Sequence, residues 1–170
     1  LCNPISVEPF ENVLCEGEEI ILDGTADSGD DVTWDLGVVN GESFAPPVGT
    51  TVYTGSTENI DDCDFQTTIT VNALPVVTAS VDDDEICFGE SVIFTGSGAT
   101  TYSWEMGVVD GEPFTPLIGG TETYTVTGTD DNGCENTASV DVTVNPELIV
   151  TYTTIDETDE DGEIDLTVTG

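Results

Sequence analysis

GVVNGESFAPPVGTT (residues 37–51) recurs as GVVDGEPFTPLIGGT (residues 107–121), displaced by 70 residues. The same displacement carries Trp34 onto Trp104 and Phe44 onto Phe114. Upstream, Cys15-Glu-Gly-Glu and Gly24 return 72 residues later as Cys87-Phe-Gly-Glu and Gly96. Downstream, Tyr53 and Cys63 return 71 residues later as Tyr124 and Cys134. A drift of one or two residues is what loop insertions leave behind. The chain is therefore read as an array with a period of about 70 residues.

The expected division is a first repeat over 7–75 and a second over 76–147. Asn3-Pro4 resembles Asn145-Pro146, so residues 1–6 are expected to be the end strand of a preceding repeat. Residues 148–170 hold two strand-like runs around an acidic turn, too short for a third repeat. They are expected to be a partial repeat or a strand pair docking on a neighbour. No signal peptide is recognised, and the numbering is expected to begin inside a mature or truncated chain.

Within the second repeat, SVIFT (91–95) and TYSW (101–104) are strand candidates bounded by Gly-rich turns. Residues 121–129 and residues 138–144 alternate in the period of two that gives a strand one buried face. Asn132-Gly133 between the last two runs predicts a type I′ hairpin turn, which needs positive φ at both central residues. No long run has helical periodicity. Several short strands per repeat, separated by turns, predict an all-β fold of tandem immunoglobulin-like β-sandwich domains. Trp34 and Trp104 are expected in the core, and Phe44 and Phe114 are expected to plug the sandwich. The glycines of the repeated segment are expected to shape its turns, in preference to making it a ligand loop.

Such small cores usually need a covalent staple. Cys15 with Cys63 and Cys87 with Cys134 occupy equivalent places, so two disulfides within the repeats are the expected pairing. Each would close a loop of nearly 50 residues, worth roughly 4 kcal/mol in the loop-entropy model. Stapling of this kind implies an oxidising, extracellular setting. Cys2 is left over, its partner expected upstream or absent.

Charge narrows the function. The 170 residues include 36 Asp and Glu and no Lys, Arg or His. Side-chain salt bridges are impossible, and carboxylate repulsion must be met by hydrogen bonds, salt or metal. Nothing can neutralise a phosphate backbone, which excludes nucleic acid, and anionic membrane surfaces are excluded likewise. No apolar stretch approaches the roughly 18 residues of a membrane-spanning helix. Without His or Lys there is no conventional base for a Ser or Cys nucleophile, and an enzyme is not expected.

The motifs of the second repeat resemble a known class. Cys87-Phe-Gly-Glu, Gly96-Ser-Gly-Ala, Tyr102-Ser-Trp, Gly107-Val-Val-Asp-Gly-Glu-Pro-Phe-Thr-Pro, the run from Tyr124 to Cys134 and Val142-Thr-Val-Asn-Pro are similar to Ig-like and PKD-like tandem repeats. Such repeats build giant Bacteroidetes surface adhesins of the SprB type, cargo of type IX secretion. The first repeat departs where Gly24-Thr-Ala-Asp replaces Gly-Ser-Gly-Ala. The resemblance implies a secreted array on a bacterial surface, in a marine or salt-adapted setting, and names no ligand.

Calcium takes six to eight oxygen ligands, commonly from acidic loops. The candidate ligands are Asp82, Asp83 and Asp84, then Asp61 and Asp62, Asp130 and Asp131, and in the tail Asp159 and Asp161. The expected function is a structural spacer or adhesive stalk. Its partners would be neighbouring repeats, or other copies joined by strand addition at a sheet edge. The alternative is a carbohydrate-binding module that takes surface polysaccharide on exposed aromatics, Tyr152 being the aromatic most readily expected outside.

Overall fold

The computed structural model describes residues 5–8, 12–26, 29–58, 64–147, 149–154 and 164–169. In the first part of the chain these form β1 (Ile5–Glu8), β2 (Val13–Cys15), β3 (Ile20–Ile21), β4 (Asp23–Ala26), β5 (Thr33–Trp34), β6 (Ser43–Phe44), β7 (Gly49–Ser56) and β8 (Phe65–Asn72). The second part supplies β9 (Thr78–Val81), β10 (Glu85–Cys87), β11 (Val92–Ser97), β12 (Thr101–Trp104), β13 (Pro113–Phe114), β14 (Gly120–Thr129) and β15 (Glu135–Asn145). β16 (Ile149–Thr154) and β17 (Ile164–Thr169) follow and pair with each other, antiparallel.

The two repeats share one wiring. In the first, one sheet runs β2-β8-β7-β5, and the other face is built from the pairs β1-β4 and β3-β6. In the second, the sheets run β10-β15-β14-β12 and β13-β11-β9. Both repeats open with a parallel pairing of their short second strand to their last one: Cys15 stands opposite Asn72, and Cys87 opposite Asn145. β1 crosses the boundary expected after residue 6, because Ile5 and Ser6 pair with Ala26 and Thr25. Those two residues belong to the first repeat's own sheet, as Ser97 and Gly96 pair with Thr78 and Ala79 in the second.

Alternation places the core. In β11, Val92, Phe94 and Gly96 are buried while the residues between them are exposed. Around Phe94 gather Trp104, Tyr124, Val126, Val142 and Val144. The first core holds Leu22, Val32, Trp34, Tyr53, Ile69 and Val71. Phe44 and Phe114 pack half-buried against these cores. A Cβ on Gly24 would stand 2.9 Å from Val32 Cγ1. Only glycine lets that strand pass so close.

By compactness, one unit takes Leu1–Pro75 together with Thr129–Glu135, and the other takes Val76–Gly128 with Asn136–Gly170. The turn between β14 and β15 thus clusters with the first unit, although its sequence belongs to the second repeat. That turn is a hairpin, as Asn132-Gly133 predicts, but not of type I′. Gly133 alone takes positive φ there, at 84°. Gly133 N–H donates to Asp130 O (3.2 Å), and Asp130 N–H to Cys134 O (3.0 Å). Asp130 Oδ1 draws in the N–H groups of Asn132 and Cys134 (2.8 and 2.9 Å). This aspartate-built turn overrides the two-residue preference of Asn-Gly.

Candidate functional site: the cysteine turns and the acidic loops

The Cys-x-Gly-Glu motif builds the same turn twice. Glycine at its third position takes φ of 88° at Gly17 and 90° at Gly89. The fourth residue closes the turn, Glu18 and Glu90 donating their N–H groups to Cys15 O and Cys87 O, each at 3.1 Å. Their carboxylates fold back onto the cysteine N–H groups, at 2.6 Å for Glu18 and 2.8 Å for Glu90. Glu16 and Phe88 donate to Asn72 O and Asn145 O, at 2.8 and 2.9 Å. Each cysteine is therefore presented at a fixed end of its sheet.

The bonding of these cysteines corrects the expected pairing. Cys15 is joined to Cys134 across 119 residues of sequence, and Cys87 keeps an exposed free thiol. The pairs Cys15–Cys63 and Cys87–Cys134 are both excluded, since Cys15 and Cys134 are taken by each other. Equivalent spacing in two repeats gives a cysteine two partners at matching positions, and the fold brings the turn cysteine of the later repeat to the earlier cysteine. Cys134 is fully buried. Cys2 and Cys63 lie outside the described residues.

The repeated Gly-Val-Val-Asn/Asp-Gly segment turns inward. Asn40 Oδ1 accepts the indole N–H of Trp34 (2.9 Å) and the N–H of Gly24 (2.7 Å), while its Nδ2 donates to Gly24 O (3.1 Å). Asp110 Oδ1 does the first two jobs for Trp104 (2.8 Å) and Gly96 (2.7 Å). Both tryptophans are buried, at 7% and 8% exposure. Leu36 and Met106 adopt φ of 56°, uncommon for side chains of that bulk. The segment is a lock between two strands and the tryptophan ring. The polar residue six positions after each tryptophan is its sequence signal.

Carboxylates take hydrogen-bond donors where cations are missing. Asp35 accepts Thr54 N–H (2.9 Å), Asp82 accepts Ile93 N–H (2.8 Å) and Asp83 N–H (3.0 Å), and Asp83 accepts Glu85 N–H (3.2 Å). Thr123 donates its hydroxyl to Asp141 at 2.6 Å. The backbone N–H of Cys134, then those of Asn132 and Gly133, hold the Asp130 carboxyl below the usual carboxylate range. That contribution to stability is present above the unfolded value and lost as pH falls through the folded one.

Among the described residues, no three acidic or cysteine side chains come together as a metal site needs. Asp82, Asp83 and Asp130 each already serve as backbone acceptors, and Asp84 accepts the N–H of Thr143 through its main-chain carbonyl (2.8 Å). Asp131 sits in the same turn as Asp130. Asp61, Asp62, Asp159 and Asp161 lie outside the described residues, and the side chain of Tyr152 is not described. Hollows flank these elements. One of about 490 Å³ runs along residues 31–34 and 38–40, over Trp34. Another of about 280 Å³ is lined by Met106, Phe114, Leu117, Ile118, Glu122 and Tyr124.

No protein-family model matches the chain, and no characterised protein matches it in sequence. Among solved structures it is similar to the N-terminal four Ig domains of Dscam1 isoform 7.44. The identity is 11% and the TM-score 0.31, over 84% of this chain and 46% of that one. The chain thus spans less than half of that structure. It is also similar to the fibronectin(III)-like modules of Clostridium thermocellum CbhA, at 12% identity and a TM-score of 0.32, over 83% of this chain and 95% of that one. The fold is all-β, of tandem immunoglobulin-like β-sandwich domains with one disulfide, Cys15–Cys134, among the described residues. No helix among the described residues is long and apolar enough to cross a membrane.

Proposed function

We propose that this chain is a structural repeat segment of a secreted bacterial surface adhesin or filament, a stiff spacer with no catalytic role. One observation carries the reading: the most strongly repeated residues are spent on the fold. Asn40 and Asp110 close onto tryptophan and glycine, and both tryptophans lie inside. A carbohydrate-binding module would instead place such aromatics on its surface as stacking platforms. The disulfide favours an extracellular setting. The test is retention of the purified chain on columns of anionic and neutral polysaccharides. A spacer elutes in the void. Retention that disappears when the half-exposed Phe88 becomes Ala would establish the carbohydrate-binding reading instead.

Calcium belongs to this proposal as counter-charge for the acidic turns. A chain at −36 is stabilised by any cation through screening, and by calcium beyond screening only where ligands gather. Melting temperatures in calcium chloride and in sodium chloride of equal ionic strength separate the two. Calcium is expected to raise the melting temperature further, and equal shifts would remove it from the reading.

A further inference from the structure

Cys15 and Cys87 are one device in two states. Both end a short strand parallel to the last strand of their repeat, in the same register. Both have their N–H capped by the glutamate three residues on, and both are followed by an N–H donated to the facing asparagine carbonyl. The first is bonded, and its partner is not the turn cysteine of its own repeat but that of the repeat after it. The second has the same mounting, is exposed, and has no partner.

We propose that Cys87 is a coupling site for the turn cysteine of a further repeat of this kind following the second, so that each repeat is bolted to the next. The ligand is a thiol placed as Cys134 is, on the glycine-led turn between the last two long strands of that following repeat. The bond forms by thiol–disulfide exchange. One thiolate attacks an oxidised small disulfide such as glutathione disulfide and releases one thiol. The second thiolate then displaces the other half from the mixed disulfide. Two cysteine thiols are oxidised, one small disulfide is reduced to two thiols, and two protons pass from the cysteines to them. This deepens the spacer reading and rests on it, because a bolted array is what a spacer needs. It makes no use of polysaccharide retention, so the two ideas fail separately.

The experiment inserts a second copy of residues 76–147 immediately after Glu147, leaving the rest of the chain in place. The protein is refolded with oxidised and reduced glutathione, alkylated and digested without reduction. Chymotrypsin serves, since the chain offers trypsin no Lys or Arg. The turn-cysteine peptides of the original and the copy differ in mass because different residues follow Glu147 in each. The expected result is Cys15 bonded to the original turn cysteine and Cys87 bonded to the turn cysteine of the copy, with the copy's own equivalent of Cys87 alkylated. Cys87→Ser in the same protein should leave the copy's turn cysteine alkylated. An intact Cys15–Cys134 bond beside a fully alkylated Cys87 overturns the proposal, and that bond reports that the protein has folded. If Cys15–Cys134 itself is missing, the insertion is repeated with residues 74–147, shifting the joint by two residues. Alkylated Cys87 there as well overturns the proposal.

Discussion

The two repeats solve one packing problem with different parts. Where the second sets Phe94 against Trp104, Phe114 and Tyr124, with ring centroids 5.3, 6.1 and 4.6 Å apart, the first has Leu22. Its aromatic contact is Phe44 against Tyr53 at 5.4 Å. Where the second has Tyr102, whose hydroxyl donates to Ala99 O and accepts Ala99 N–H (2.6 and 2.8 Å), the first has Val32. Tyr102 ties a short loop to its own strand, and β12 is four residues long against two for β5. The first repeat also gains a covalent tie, since by compactness both ends of the disulfide, Cys15 and the second repeat's turn cysteine, belong to its unit. The difference teaches that aromatic packing and a cross-link from the next repeat can each secure a small sandwich.

The largest test of that difference removes the cross-link. Cys15→Ser opens a bond spanning 119 residues, worth about 5 kcal/mol in the loop-entropy model. Each repeat carries one tryptophan, so Trp34→Phe and Trp104→Phe backgrounds report the two separately in denaturant. The loss is expected on the Trp34 signal, with Cys87→Ser silent on both. Equal losses on both signals would break the comparison. Next in size, Phe94→Ala is expected to cost about 3–5 kcal/mol on the Trp104 signal. Leu22→Ala should cost less, because the ring contacts of Phe94 add about 0.5–1.5 kcal/mol per pair beyond buried area.

Sequence alone revealed the strands and the buried tryptophans, because period-two alternation and turn glycines are local signals. β12 spans the run TYSW as predicted, and the expected run 121–129 lies within β14. The disulfide was not legible. Cys63 and Cys134 hold the same turn position in the two repeats, and only the fold says which one reaches Cys15. The turn at Asn132-Gly133 was misread in type because the carboxylate of Asp130, two residues away, competes for the same N–H groups. Asn40 and Asp110 escaped notice because a polar residue beside glycine reads as solvated turn unless its acceptor role is known. The acidic clusters read as calcium loops through composition, whereas backbone N–H groups meet several of those carboxylates.

A smaller effect probes the one position where the locks differ. Asn40 gives a donor to Gly24 O as well as an acceptor, and a carboxylate at that place has no proton to give. Asn40→Asp is therefore expected to destabilise the first repeat by about 1–2 kcal/mol, read as a lower denaturation midpoint on the Trp34 signal. Asp110→Asn retains the acceptor for Trp104 and Gly96 and removes one charge from a chain that has no cationic side chain. It should leave the second repeat unchanged or slightly firmer. If both exchanges cost the same, asparagine and aspartate are not adapted to their repeats.

The smallest expected contrast is alkaline, and the composition makes it unusually clean. With no Lys or Arg, the tyrosines dominate the alkaline response of the side chains, and a Cys87→Ser background removes the free thiol among the described residues. Burial first, then the charge of Asp35, raises Tyr53 above its ordinary value; burial first, then Glu122, raises Tyr124. A group raised in the fold adds stability that is complete below its unfolded value near 10. That stability is lost as pH rises through the folded value. Both repeats should hold their denaturation midpoints to about pH 10 and lose them above it. Tyr53→Phe should spare the Trp34 signal and Tyr124→Phe the Trp104 signal. Tyr124 also donates its hydroxyl to Glu122 at 3.3 Å, a bond that ionisation breaks. The second repeat should therefore fall more steeply, and a steeper fall on the first would place the repulsion at Asp35 above the lost hydrogen bond.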